Sequence, residues 1–324
     1  MNSISIIKNP ISTELGDFNR LFDSSLSSSN PLLKSVIEHI RQRSGKRMRP
    51  MLVLLMGKLF GEVNQSTLHA AAALELLHTA SLVHDDVVDE SSERRGQLSV
   101  NAVFNNKVAV LSGDYLLATA LVQVALTRNH DIIDVVSALG QDLAEGELLQ
   151  LSNVSNLEFS ESVYFDVIRK KTAALFAACT KAGALSVGAT DEEVENARLF
   201  GEYIGICFQI KDDIFDYYDS KEIGKPTGND MHEGKLTLPV LYALNATHDE
   251  EARALALKVK EGSASADEIG HLVRFTKENG GIEYAKKVMN DYREKAFALL
   301  PAEGHADVKQ ALTAYLNYVV EREK

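Results

Sequence analysis

The sequence predicts an all-α protein, and three observations carry that expectation. Proline occurs only at positions 10, 31, 50, 226, 239 and 301, so residues 51–225 hold no residue that must break a helix. Apolar residues recur at three-to-four spacing in LHAAAALELLHTASLV (68–83), GDYLLATALVQVAL (113–126), KTAALFAACTKAGAL (171–185) and ENARLFGEYIGICFQI (195–210). No segment shows sustained strand-like alternation.

The elements follow from the punctuation. Runs should end at 90–96, 128–130, 152–158 and 188–191, where cap and turn residues gather, giving roughly ten helices joined by short loops. The stretch SKEIGKPTGNDMHEGK (220–235) is too polar to pack and too long for a tight turn, and reads as a functional loop or lid. From about Ala246 to Lys324 no motif stands out, and packing helices are expected.

Composition bounds the function. The 324 residues, 45% apolar and 25% charged, can build one large core, so a single domain over 1–324 is expected and a disordered, collagenous or disulfide-stapled chain is excluded. With 34 basic against 46 acidic side chains, the net charge of -12 opposes a nucleic-acid partner. Cys179 and Cys207, unclustered, read as reduced thiols of a cytoplasmic protein. The N-terminal residues lack a secretory pattern and no 18-residue apolar run occurs, so no transmembrane segment is expected.

One pattern recurs. Asp85-Asp86-Val87-Val88-Asp89 and Asp212-Asp213-Ile214-Phe215-Asp216 share the spacing Asp-Asp-x-x-Asp, each after an apolar helical run. Residues i and i+4 share a helical face, so Asp85 with Asp89, and Asp212 with Asp216, make two-carboxylate claws that repel unless a cation joins them. Magnesium is the natural occupant, since it takes one or two carboxylates and completes its shell with water and substrate phosphates. His78 falls within about 40° of Asp85 and Asp89 on a helical wheel, and Gln209, Asp212 and Asp216 follow i, i+3, i+7. Either motif alone would read as a solvated acidic face, and His78 alone as a core histidine. Basic residues at Lys46, Arg47 and Arg49, at Arg94 and Arg95, at Lys170 and Lys171, and at Lys225 complete a set suited to gripping a diphosphate between metal and cations.

In order, GKRMRP (45–50), LLHTASLVHDDVVDESSERRG (76–96), RKKTAALF (169–176), FQIKDDIFD (208–216), GKPTGND (224–230) and GKLTLP (234–239) resemble the motifs of the trans-isoprenyl diphosphate (polyprenyl) synthases. The resemblance covers about Lys46 to Pro239. It implies an all-α, isoprenoid-synthase-type helical bundle around a deep central cavity, commonly a homodimer. It implies that Lys46, Arg49, His78 and Arg95 hold isopentenyl diphosphate, and that Asp85, Asp89 and Asp212 ligate the magnesium ions on the allylic diphosphate. Their motif neighbours Asp86, Asp213 and Asp216 complete the candidate metal set. Arg94, Lys171 and Lys225 would contact that diphosphate, while Thr172 and Gln209 face the developing carbocation. The implied reaction ionises the allylic carbon–oxygen bond, joins the carbocation to the double bond of isopentenyl diphosphate, and loses a proton to the released diphosphate. One departure is the serine of Ser44-Gly45 where the family usually has a second glycine.

In such enzymes the residues four and five before the first motif help set product length, because aromatics there block the growing tail. Here they are Ser81 and Ala80, both small. The face continues through Leu77 to Leu74, about 16 Å from Asp85 at 1.5 Å per residue, so a long chain of about octaprenyl length, destined for a quinone tail, is expected. Its apolar product implies transient membrane contact on release. Four rivals are weighed. A farnesyl or geranylgeranyl synthase would share the whole apparatus. A class I terpene cyclase usually carries one aspartate motif. A di-iron bundle needs a second partner to Glu75-x-x-His78, and a silent regulatory subunit tends to lose aspartates.

Overall fold

The computed structural model describes residues 3–42, 45–94, 96–154, 159–218, 227–302 and 305–322. Helices dominate: α1 (Ser3–Lys8), α2 (Ser12–Ser25), α3 (Pro31–Gln42), α4 (Met48–Phe60), α5 (Gln65–Val88), α6 (Val100–Phe104), α7 (Asn106–Leu126), α8 (His130–Val154) and α9 (Glu161–Ile168) come first. After a π-helical turn at Arg169–Ala173 follow α10 (Ala174–Ser186), α11 (Asp191–Phe215), α12 (Asn229–His232), α13 (Leu238–Thr247), α14 (Glu250–Lys260), α15 (Ala266–Glu278), α16 (Gly281–Ala298) and α17 (Ala306–Glu321).

These are seventeen α-helical segments among the described residues, against the roughly ten expected. The surplus comes largely from pieces of one or two turns, such as α6 and α12, which are too short to show a 3.6-residue period. A second difference lies in the break after α5. There Glu93–Arg94 (β1) and Gln97–Leu98 (β2) pair antiparallel in a two-stranded hairpin, with Gly96 at φ +72°.

The chain parts into two compact units. The first comprises Met1–Gln141, Leu175–Gly201 and Leu299–Tyr318. Its centre is α4, where Pro50 through Gly57 are all buried, as befits a helix apolar all round. Each fully buried leucine there contributes about 1.5–3 kcal/mol by leaving water. Helix α5 begins on a capping box in which Asn64 Oδ1 accepts from the backbone N–H of Ser66 and Thr67, while Thr67 Oγ1 accepts from Asn64 N–H. Helix α10 crosses α4 closely enough that a Cβ on Gly183 would stand 2.5 Å from the carbonyl oxygen of Val53.

The second unit comprises Asp142–Ala174, Glu202–Ala298 and Val319–Lys324. Helices α13 and α16 meet where Gly281 approaches Pro239, a Cβ there falling 2.3 Å from the Pro239 carbonyl oxygen. Tyr242 and Tyr284 stack nearby with ring centroids 4.0 Å apart. Cys179 in the first unit and Cys207 in the second are free and buried, and burial pushes both thiols up to about 12. Among the described residues α7 alone is long and apolar enough to cross a membrane by length and composition, a property that the expectation of no such segment passed over. It packs along α5 in the first unit.

Candidate active site

The residues singled out from the sequence fall into two groups, one in each unit. In the first unit, GKRMRP leads into α4. Arg47 takes a left-handed backbone conformation, φ +51°, and turns its guanidinium over the rings of Phe22 and Phe18. It also donates to Asn19 Oδ1 and pairs with Asp23 at 3.6 Å. Arg47, a basic residue to which the resemblance gives no part in holding isopentenyl diphosphate, thereby anchors the loop that carries Lys46 and Arg49. Lys46 is exposed and donates to the Tyr318 hydroxyl at 2.6 Å. Arg49 lies over the Phe176 ring at 5.4 Å, and its Nε is buried without an acceptor, as a residue awaiting an anion would be.

The first aspartate motif ends α5. Asp85 is half-buried, and Asp89 is exposed and forms the C-cap, its N–H bonded to the Asp85 carbonyl oxygen at 2.8 Å. Carboxylates at a helix C-terminus oppose the helix dipole, so this end of α5 gains stability when a cation joins it. Asp86 behaves differently. It is 2% exposed and accepts from Arg94 Nε at 2.5 Å. The pairing joins a member of the candidate metal set to an expected diphosphate contact. His78 sits half-buried on the same helix. Arg95 lies outside the described residues, as does Ser44.

Of the chain-length residues, Ala80, Leu77 and Leu74 are 2%, 5% and 0% exposed, and Ser81 is half-buried with its hydroxyl donating to the His78 carbonyl oxygen at 2.9 Å. With no exposed surface, Leu74 lines no channel of water width. The far end of this face, at Leu74, is fully buried.

In the second unit the other motif ends α11. Asp212 accepts from Arg322 Nη2 at 2.5 Å, and that guanidinium also covers the Phe208 ring at 4.0 Å. Asp213 is 1% exposed and accepts from the Tyr164 hydroxyl at 2.5 Å and from Gln209 Nε2 at 2.8 Å. Burial first, and then Asp230, raises its carboxyl above the ordinary range, while the two donors pull it back. Burial likewise raises the Tyr164 phenol. Asp216 caps the next element, accepting from the N–H of Asn229 at 2.9 Å and of Asp230 at 3.1 Å at the start of α12. The alignment of Gln209 with Asp212 and Asp216 is thus not the bonded one, because Gln209 pairs with Asp213 four residues on.

The π turn carries Lys171 and Thr172. Its register is marked by Ala174 N–H bonding the carbonyl oxygen of Arg169, five residues back, a geometry that recurs at functional sites. Gly146 on α8 makes room for it, since a Cβ there would sit 2.9 Å from Lys171 N. Lys171 Nζ pairs with Glu147 at 2.5 Å and donates to Gln150 at 3.2 Å. Thr172 donates to Gln209 Oε1 at 2.7 Å. Lys171, Thr172, Gln209, Asp213 and Tyr164 line one cavity, together with Lys235 of GKLTLP and the nearly buried Lys260. Residues 220–226 of the 220–235 loop, Lys225 among them, lie outside the described residues; the described end is tied to Asp216, whose carbonyl oxygen accepts from Gly228 N–H at 2.8 Å.

Sequence reasoning missed Tyr164, Gly146, Glu147 and Arg322. Only Gly146 left a signal, as an isolated glycine inside a helical run that marks close backbone approach. Among the described residues no group of three or more His, Cys, Asp or Glu side chains is placed to hold a metal ion. The hard oxygen pairs present suit an ion that completes its shell with substrate phosphates.

Residues 30–275 match the polyprenyl synthetase family. The chain belongs to that family. It is 34% identical over 304 residues to the octaprenyl diphosphate synthase of Escherichia coli, covering 92% of this chain and 93% of that one. A crystal structure of a geranylgeranyl pyrophosphate synthase from Bacteroides thetaiotaomicron shares 63% identity with a TM-score of 0.88, covering 99% of this chain and all of the other. The polyprenyl synthase of Caulobacter crescentus, solved with calcium and isoprenyl diphosphate, is 32% identical with a TM-score of 0.91, covering 100% and 99%. The family assignment makes the protein a prenyl-transferring enzyme with the all-α isoprenoid-synthase fold.

Proposed function

We propose that this polyprenyl synthetase condenses an allylic diphosphate with successive isopentenyl diphosphate units to give a long-chain all-trans polyprenyl diphosphate, about octaprenyl in length. The observation that carries the chemistry is the cavity of the second unit, where a cation, Lys171, and two neutral oxygen-bearing side chains, Thr172 and Gln209, stand together beside the second aspartate motif. Lys171, steadied by Glu147 and Gln150, offers its ammonium to the departing diphosphate. As the carbon–oxygen bond breaks, its electron pair leaves with that diphosphate. The double bond of isopentenyl diphosphate then forms the new carbon–carbon bond, and the surplus proton passes to the released diphosphate. Thr172 and Gln209 supply oxygens to the positive charge in between.

Asp85, Asp89 and Asp212 are the residues proposed to hold magnesium; when bound, it would neutralise charge growing on the diphosphate. Asp86, Asp213 and Asp216 would act as supports within their motifs. Lys46, Arg49 and His78, with Arg95, are proposed to receive isopentenyl diphosphate, and the unpartnered Arg49 Nε supports this. Arg94 and Lys225 remain proposed contacts of the allylic diphosphate. The whole chain, 1–324, is proposed to act as one catalytic domain. A homodimer is supported by the outward face of α7, where Leu111, Leu121 and Val122 are more than half exposed. Two reduced, buried thiols support a cytoplasmic location, with membrane contact limited to product release.

A geranylgeranyl product is the second reading. The Bacteroides relative at 63% identity favours it, as does the full burial of Leu74. Incubation of the purified protein with farnesyl diphosphate, labelled isopentenyl diphosphate and magnesium, followed by chain-length analysis of the dephosphorylated products, decides between them. A ladder ending near eight units, lost in Asp85→Ala, is the expected result. Termination at four units selects the second reading, and no incorporation with any allylic primer overturns both.

A further inference from the structure

We propose that Tyr164 is a positioning residue for prenyl transfer, acting through Asp213 to fix the hydrogen-bond direction of Gln209 and Thr172. The inference rests on the function proposed above and extends it to a residue outside every sequence motif. Tyr164 is 7% exposed on α9, and its hydroxyl donates to Asp213 Oδ2 at 2.5 Å. The other carboxylate oxygen accepts from Gln209 Nε2 at 2.8 Å, and Gln209 Oε1 accepts from Thr172 Oγ1 at 2.7 Å. With its NH2 given to Asp213 Oδ1, the amide turns its oxygen toward Thr172. The single proton of Thr172 is thereby spent inside the network. What Thr172 then presents to the cavity is an oxygen with lone pairs and no proton, the polarity that favours a developing carbocation.

The π turn makes this network possible. It holds one residue more than an α turn, so positions eight apart across it take the relation that seven apart, about two turns, have in a regular helix. Thr172, eight residues after Tyr164, comes onto the face of Tyr164, and the pair meets Gln209 and Asp213, one turn apart on α11. A regular helix would bring Lys171 onto that face instead. Without the Tyr164 hydroxyl, Asp213 loses one of the two donors that hold its carboxyl group, and the orientation of the Gln209 amide is no longer fixed.

Two variants test the proposal in the intact protein with farnesyl and isopentenyl diphosphates. Tyr164→Phe keeps the ring, whose edge-on contact with Phe165 has centroids 5.3 Å apart, and removes only the hydroxyl. Its kcat should fall on the order of tenfold with both KM values held within about twofold. In a Thr172→Val background the same change should cost less than about twofold, since its route of action is gone. Asp213→Asn preserves the number of hydrogen bonds but lets the amide donate toward Gln209, reversing the direction at Thr172. It should lower kcat at least as much, at an unchanged magnesium requirement. Equal losses from Tyr164→Phe in both backgrounds, an unchanged kcat, or a change in KM alone would overturn the proposal, as would full activity of Asp213→Asn should Tyr164→Phe fail to fold. Absence of condensation by the wild-type protein overturns the functional reading itself and the positioning role with it.

Discussion

Gly146→Ala tests how the π turn is seated. A Cβ at this position would stand 2.9 Å from Lys171 N, 3.0 Å from Lys170 Cβ and 3.2 Å from Lys170 C. Comfortable contacts between such atoms are about 3.5–4.0 Å, so the backbone of Lys170 and Lys171 must retreat by roughly half an ångström. Two effects of opposite sign compete. Alanine is favoured over glycine inside a helix by about 1 kcal/mol, whereas overpacking a fitted contact costs about 1–3 kcal/mol. The net expectation is a loss of about 0–2 kcal/mol in urea unfolding. Function should suffer more, because the displaced backbone leads straight into Thr172, and half an ångström of misplacement in a reacting group costs on the order of tenfold in kcat. Equilibrium unfolding and initial condensation rates measure the two effects separately. A variant stabilised by about 1 kcal/mol with unchanged kcat would refute the seating of the π turn on α8.

Three further outcomes are expected. Replacing both Ala80 and Ser81 by Phe should shorten the product ladder by several isoprene units, because both side chains precede the first motif on α5; an unchanged product distribution would remove these positions from length control. Arg322→Ala takes away the guanidinium held at Asp212, so half-maximal activity should need several-fold less magnesium if the two cations compete for that carboxylate; a higher requirement would show that Arg322 assists binding instead. With both thiols pushed up to about 12, the thiolate fraction at pH 8 is about one in ten thousand, so Cys179 and Cys207 should resist alkylation in the folded protein and react in urea. The sign follows from burial, which disfavours the charged thiolate, and rapid labelling of the native chain at pH 8 would contradict it.

The sequence by itself determined the helical class, because proline absence and 3.6-residue periodicity are local properties that each run carries alone. It also displayed both aspartate motifs in their spacing, whereas the roles expected of Lys171, Thr172 and Gln209 came through the resemblance that their motifs carry. The tertiary structure decided which partner each aspartate meets. Asp85 and Asp86 are adjacent and chemically identical, yet Arg94 takes one of them. Asp213 is set apart from Asp212 by Tyr164, 49 residues away, and Asp212 meets Arg322, 110 residues away. Lys171 and Thr172 were legible as residues, but the π turn that ranks Thr172 beneath Tyr164 was not, because one extra residue in a turn leaves the apolar period of its neighbours intact. Such partners are chosen by the packing of helices distant in the chain, and a period read along one helix holds no information about the side chains another will bring to it.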